Sequence, residues 1–284
     1  LGETFTGNEL MLMPGGKGAN QAVQCSRLGL NVSMVGCVGN DIYGSELINS
    51  LRENNVSVEN VNKRGTTTGI GIVQILESGD YCSTIIKGAN YLISEDDITE
   101  SLFEGQPLVI LQSEIPAPVV EYIIGVASTH HCRIILNNAP ARDVSAHALS
   151  LVDYLVVNET EAAFMSGADV SSIDDAHSCA TGLHKRVKGQ VIITLGEKGA
   201  VLSQEHGTRH FPAVFCPDVV DTTGAGDSFI GGIAYCIVNG FSLTDAIPFA
   251  AEISSCSIQK YGGQNSFPML PDVSHALKNS SLLD

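Results

Sequence analysis

"VVDTTGAGDSFIGG", residues 219–232, sets Gly224, Ala225 and Gly226 between two aspartates, after a β-branched run and before an apolar helical pattern. The segment Ser228–Asn239 is apolar with small residues on one face, which predicts a helix that packs closely. Glycines just ahead of such a helix let the backbone turn, so that successive amide N–H groups point into one cavity. Together with the helix dipole, a nest of this kind binds an anion, a phosphate above all. Asp227 lies in the first helical turn, where it has two readings. As a plain N-cap it only satisfies a backbone donor. Beside an anion nest, its carboxylate is a base that accepts a hydroxyl proton while the nest holds an incoming phosphoryl group.

Other phosphate motifs fail on detail. G-x-G-x-x-G needs a glycine where Phe229 stands. A Walker A loop ending at Gly16-Lys17 would need glycine at Met11 and a hydroxyl residue at Gly18, and the lysine of "GEKG" (Gly196–Gly199) is likewise followed by glycine. A second glycine cluster, "PGGKGANQAVQCSRLG" (Pro14–Gly29), runs into an amphipathic helix over Asn20–Leu28. Gly15, Gly16 and Gly18 permit close approach of a ligand, and Lys17 and Asn20 supply donors suited to sugar hydroxyls. Read alone, the cluster is equally a tight turn.

Between these ends the chain alternates. Strands buried on both faces are expected at Val32–Val38, Leu108–Leu111, Ile134–Leu136, Tyr154–Val157 and Val191–Leu195. Helices are expected at Ser45–Asn54, Val119–Thr129, Glu159–Met165 and Asp174–Val187. This is the pattern of βαβ units in an α/β fold with a mostly parallel sheet, whose ligands sit beyond the carboxyl ends of the strands. Two stretches depart from it. "GIGIVQILESGDYCSTIIKGAN" (Gly69–Asn90) reads as two alternating strands turning at Ser78-Gly79-Asp80, and "TFTGNELMLMPGG" also reads as extended. Residues 2–13 and 69–88 are therefore expected to form a small antiparallel β lid on a core of residues 14–68 and 89–284.

The 284 residues carry a net charge of −16, which argues against nucleic acid and anionic membrane surfaces as partners but not against a small phosphate ligand. No apolar run reaches the 18 or more residues of a membrane span, and the first ten residues lack the pattern of a signal peptide. Eight cysteines stand singly, without a C-x-x-C pair, which fits buried reduced thiols in a cytoplasmic protein better than zinc or disulfides. The eight histidines form no H-E-x-x-H spacing.

The two glycine motifs, roughly 200 residues apart and in this order, resemble those of the ribokinase-like (PfkB-type) carbohydrate kinases. "GAN" at 88–90, "LQSEIP", "APAR", "NETEA" and "ITLGEKGA" extend the resemblance over essentially the whole chain. It implies a central mostly parallel sheet flanked by helices with a small β lid. "GGKGANQA" is similar to the ribose-specific members, so the implied activity is ATP-dependent phosphorylation of D-ribose at its 5-hydroxyl. In that reading Gly16, Lys17, Gly18, Ala19, Asn20 and Glu114 contact the sugar, Asp227 is the base, and Gly224, Ala225 and Gly226 form the anion hole. Asn158, Glu161, Thr194, Leu195, Gly196, Glu197, Lys198, Gly199 and Ala251 would lie against the nucleotide, together with Gly226 and Asp227, and Glu161 would act on Mg²⁺ largely through water. On the residues alone, Asn158 and Glu161 are as well read as a capping box. The resemblance further implies a potassium-like activating cation near Asp221, Thr223, Ser257, Lys260, Gly262 and Ser266, and it allows a homodimer through the lid. Family members begin with a strand bearing an Asn-x-Asp segment that contacts the sugar, and the chain as read starts after it. The alternatives are a kinase for another sugar or nucleoside, and a truncated isoform that binds ligand without turnover. Asn138 and Ala251 depart from the residues common in the family.

Overall fold

The computed structural model describes residues 10–75 and 81–279. In chain order it runs α1 (Lys17–Arg27), β1 (Val32–Val38), α2 (Ile42–Glu53), β2 (Val56–Lys63), β3 (Ile70–Ile75) and β4 (Tyr81–Ile86). Short 3₁₀ turns lead to β5 (Leu108–Gln112), α3 (Ala117–Thr129), β6 (Arg133–Asn137), the single turn α4 (Ala146–Leu149), β7 (Tyr154–Asn158), α5 (Glu159–Ser166), α6 (Ile173–His184) and β8 (Gln190–Thr194). Then come β9 (Ala200–Gln204), β10 (Gly207–Phe211), α7 (Ala225–Val238), α8 (Leu243–Ser257), the single turn α9 (Gly263–Ser266) and α10 (Leu270–Asn279).

Six strands form one sheet in the order β10-β9-β8-β7-β6-β5. The expected parallel part is β5 to β8, and β9 and β10 continue it antiparallel. Because successive side chains of a strand point to opposite faces, each apolar run feeds two cores. Ile134, Leu136, Leu155, Val157, Val191 and Ile193 pack with α3 and α6 on one face. Ile135, Val156, Ile192 and Leu202 meet Phe229, Ile233 and Ile253 of α7 and α8 on the other. Continuous Ile/Val/Leu strands can be covered on both sides only in this way.

Burial, and not its cap, holds α7 on the sheet. Its N-cap is Gly224 and no side chain caps it. A capping side chain contributes about 1 kcal/mol. Burying Phe229, Ile230, Ile233 and Ile237 contributes roughly 1.5–3 kcal/mol each. The helix start carries no capping side chain, which leaves its second and third amides available to a ligand.

β1 and β2 pair in parallel as a separate two-stranded sheet. α1 bridges it to the main sheet: a Cβ at Gly18 would lie 3.0 Å from Gln112 Oε1 on β5 and 3.1 Å from Met34 Cε on β1. Among the described residues β1 and β5 each keep one edge unpaired, and Leu108, Val109 and Ile110 of β5 are only half-buried.

The small antiparallel sheet consists of β3 and β4, with Ile70 opposite Ile86. Of the expected lid segment 2–13, residues 2–9 lie outside the described residues. Residues 10–13 are exposed and form no strand, because their run Leu-Met-Leu-Met lacks the alternation that would give one covered face. The expected turn at Ser78-Gly79-Asp80 also lies outside the described residues. Adjacent residues Ile72 and Val73, and likewise Ile85 and Ile86, are exposed, so both faces of this sheet are open and apolar.

No described helix is long and apolar enough to cross a membrane. Cys25, Cys37, Cys132, Cys179, Cys216, Cys236 and Cys256 are all free thiols. Burial pushes the Cys25 and Cys236 thiols up to about 12, which keeps them protonated near neutral pH.

Candidate active site

The carboxyl ends of β5 to β8 carry Gln112, Asn137, Asn158 and Thr194, the position where a sheet of this kind binds ligands. Two helix starts meet this edge, those of α1 and α7. Gly224 holds φ +82°, and a Cβ there would stand 2.9 Å from the Phe267 ring and 3.1 Å from Gly263 Cα, so only glycine fits. The Ala225 amide donates to Thr222 O (3.2 Å). Gly226 and Asp227 come second and third in the helix, so their amides have no intrahelical acceptor. A Cβ at Gly226 would meet nothing within 4 Å, so this turn opens into free space.

Asp227 does not cap its helix. It is 6% exposed, and its two oxygens are held from another helix: Oδ2 accepts from Asn20 Nδ2 (2.8 Å) and Oδ1 from Gln21 Nε2 (2.9 Å). Burial pushes this carboxyl above its ordinary range, while the Lys17 charge and the two amide donors pull it back. An ionisable group kept partly uphill of its charged form, beside unpaired amides, is poised to take a proton.

Glu114 follows β5 and comes to the same place. Its Oε2 accepts from the Lys17 amide (2.7 Å), which fixes the first turn of α1, and burial raises its pKa. Lys17, Asp227 and Glu114 influence one another electrostatically, as do Lys17, Asp227 and Glu161. The expected residues Gly16, Lys17, Gly18, Ala19, Asn20, Glu114, Gly224, Ala225, Gly226 and Asp227 are therefore drawn from both ends of the chain to one edge. Asn20 is more occupied than expected: besides donating to Asp227, its Oδ1 accepts from Gln264 Nε2 (3.1 Å), and it is buried.

Asn158 and Glu161 form the capping box of α5, with Asn158 Oδ1 accepting from the Glu161 amide (2.8 Å) and Glu161 Oε2 from the Asn158 amide (2.9 Å). Among the described residues no donor reaches Glu161 Oε1, and burial raises the carboxyl's pKa. Thr194 ends β8, and Leu195–Gly199 make a tight turn in which the Leu195 amide donates to Gly199 O (2.7 Å). Glu197 is exposed on this turn, and Lys198 Nζ is committed to Ser171 O (2.9 Å). Ala251 is half-buried on α8.

Asp221 ties two loops together. Its Oδ1 accepts from the Thr223 amide (2.9 Å) and its Oδ2 from the Gly262 amide (2.9 Å). Burial works against its charge, but these donors hold its pKa below the ordinary value. Ser257 and Ser266 are buried with hydroxyls bound to Ser254 O and Gly263 O, and Lys260 is exposed. Among the described residues no cluster of three or more His, Cys, Asp or Glu forms a metal site.

Sequence reading missed four residues, Gln21, Gln112, Asn137 and Gln264. Gln21, Gln112 and Asn137 stand in or beside the motifs quoted above, and Gln264 between the expected residues Gly262 and Ser266, yet each acts through a partner at least 91 residues away.

The pattern of the pfkB family carbohydrate kinases matches residues 2–270. Over 281 residues the chain is 36% identical to the ribokinase of Lactococcus lactis subsp. lactis, covering 98% of this chain and 90% of that protein. It is 33% identical over 274 residues to the deoxyribokinase of Salmonella typhi, covering 95% and 89%. The structure of Arabidopsis thaliana ribokinase complexed with ribose and ATP matches with a TM-score of 0.89 at 28% identity, over 98% of this chain and 92% of that one.

Proposed function

Because this chain belongs to the pfkB family of carbohydrate kinases, we propose that it transfers the γ-phosphoryl group of ATP to the 5-hydroxyl of D-ribose. The observation that carries this reading is Asp227: buried, uncapping, and held by two amides beside a helix start with free N–H groups.

Asp227 takes the proton of the sugar hydroxyl as the oxygen attacks phosphorus. The turn Gly224-Ala225-Gly226 holds the equatorial oxygens of the group in flight, through the Gly226 and Asp227 amides that have no intrahelical acceptor. Lys17 adds positive charge, and Glu114 with the first turn of α1 grips the remaining sugar hydroxyls. Phosphoryl transfer asks of a protein mainly positioning and charge stabilisation, and these parts supply both.

The nucleotide would lie along Asn158, Glu161, Thr194–Gly199 and Ala251. Mg²⁺ entering with ATP suits the free oxygen of Glu161, a hard donor, and when bound supplies neutralisation of the phosphate charge. A monovalent cation such as K⁺ suits Asp221, whose carboxylate stays charged, with oxygens from Thr223, Ser257, Lys260, Gly262 and Ser266. The two open apolar faces of the β3–β4 sheet suit a lid on the sugar and a seam with a second subunit. Free buried cysteines agree with a reducing cytoplasm.

Glu114→Gln tests the sugar site. The amide can keep its oxygen on the Lys17 N–H only by turning its NH₂ toward the sugar, which replaces an acceptor with a donor. The KM for ribose is expected to rise about tenfold with kcat within about threefold. A fall in kcat at unchanged KM would remove Glu114 from the sugar. The deoxyribokinase similarity favours one second reading, phosphorylation of 2-deoxy-D-ribose. A higher kcat/KM for that sugar than for ribose would establish it.

A further inference from the structure

Gln21 is 1% exposed, so it cannot touch a substrate, yet all its polar groups are spoken for. Its Nε2 donates to Asp227 Oδ1 (2.9 Å) and to Asn137 Oδ1 (3.1 Å), and its Oε1 accepts from Gln112 Nε2 (2.6 Å). Asn137 Nδ2 donates in turn to Val156 O (3.0 Å). One side chain of α1 thus links the ends of β5 and β6 to the first turn of α7.

The direction of every bond is fixed by chemistry. A backbone carbonyl only accepts, so Asn137 turns its NH₂ to Val156 and its oxygen to Gln21. An ionised carboxylate only accepts, so Gln21 must turn its NH₂ to Asp227. Its oxygen then faces Gln112, which must donate. The chain admits one orientation and presents an N–H to Asp227 in all of it. Asn20 does the same to the other carboxylate oxygen.

We infer that Gln21 is a positioning residue that fixes the rotation of the Asp227 carboxylate and keeps it a proton acceptor, an inference that rests on reading Asp227 as the base. With one oxygen tied to Gln21 and the other to Asn20, the carboxylate cannot turn, and the remaining lone pair of each oxygen is left for the substrate proton. The charged groups around Asp227 are Lys17 of α1, Glu114 after β5 and Glu161 of α5. None of them bonds to Gln21, so removing the amide leaves their contributions in place.

Gln21→Met keeps the length and loses the donor. Loss of a hydrogen bond to a charged group raises the carboxyl pKa, so the form that accepts protons is lost at a higher pH. The acidic limb of the kcat/KM profile for ribose is expected to move up by about one pH unit. On the plateau above it, kcat is expected to fall about tenfold while the affinity for ATP stays within about twofold. A merely structural glutamine would lower the unfolding midpoint and leave the limb in place; that result overturns the inference. Should Gln21→Met fail to fold, Gln112→Met at the end of β5 removes the donor that orients Gln21. The same upward displacement, smaller in size, is expected, and an unmoved limb overturns the inference. Asp227→Asn measured alongside separates the two levels. An active Asp227→Asn refutes the base itself, whereas an inactive one with an unmoved limb in Gln21→Met refutes only the positioning role.

Discussion

Asp227→Asn is expected to lower kcat for ribose phosphorylation by about 10²–10⁴-fold, the contribution typical of a positioned general base. Its affinity for ATP should change little, because the residues placed against the nucleotide, Asn158, Glu161 and the Thr194–Gly199 turn, form no bond with it. The side chain takes no part in capping α7, and so the substitution should not unravel the anion nest. Single-turnover kinetics with saturating ATP would separate the chemical step from binding. A loss of less than about tenfold would mean that another group, or water, takes the proton.

The second large effect is expected at Gly231, on α7 one turn beyond Asp227. A Cβ there would stand 2.4 Å from Gln24 Cγ and 2.7 Å from Gln24 Cβ on α1. Those atoms lie at the root of a side chain that is fully buried, so they have nowhere to go. Gly231→Val gains a few tenths of a kcal/mol in helix propensity but forces α1 away from α7. Overpacking of this severity costs about 3 kcal/mol. Asn20 and Gln21 sit one turn earlier on α1, so the same displacement pulls both amide donors off Asp227. Urea unfolding should show a lower midpoint at unchanged slope, with kcat reduced in the fraction that remains folded. Unchanged stability would show that the two helices are not in the close contact described.

The sequence was most legible where burial is complete. The apolar runs at Tyr154–Val157 and Val191–Leu195 became β7 and β8 within a residue, because a strand covered on both faces has no polar alternation to confuse its reading. The helix starting near Ser228 was visible for the same reason. β2, β9 and β10 were not foreseen. "VSVENVNK" forms the half-buried strand β2 without a continuous apolar run to mark it, and β9 and β10 return antiparallel directly after the tight turn at Gly196–Gly199.

Within the site, the motifs located the residues but not their bonds. Asp227 in the first turn of a helix has the sequence position of a cap, and only its two bonds across 206 and 207 residues show that it is not one. The opposite outcome holds at "NETE", where the local capping box predicted from spacing is present in full. Local patterns such as caps are written in neighbouring residues. A network that joins α1, β5, β6 and α7 depends on how distant segments cross, and no stretch of sequence contains it.

The account stands most directly on one measurement, the release of ADP by this chain with Mg·ATP and potassium in the presence and absence of D-ribose. It predicts release that depends on ribose and is lost in Asp227→Asn, with ribose 5-phosphate as the other product. Release at the same rate without sugar, or none with any sugar while ATP still binds, would contradict it.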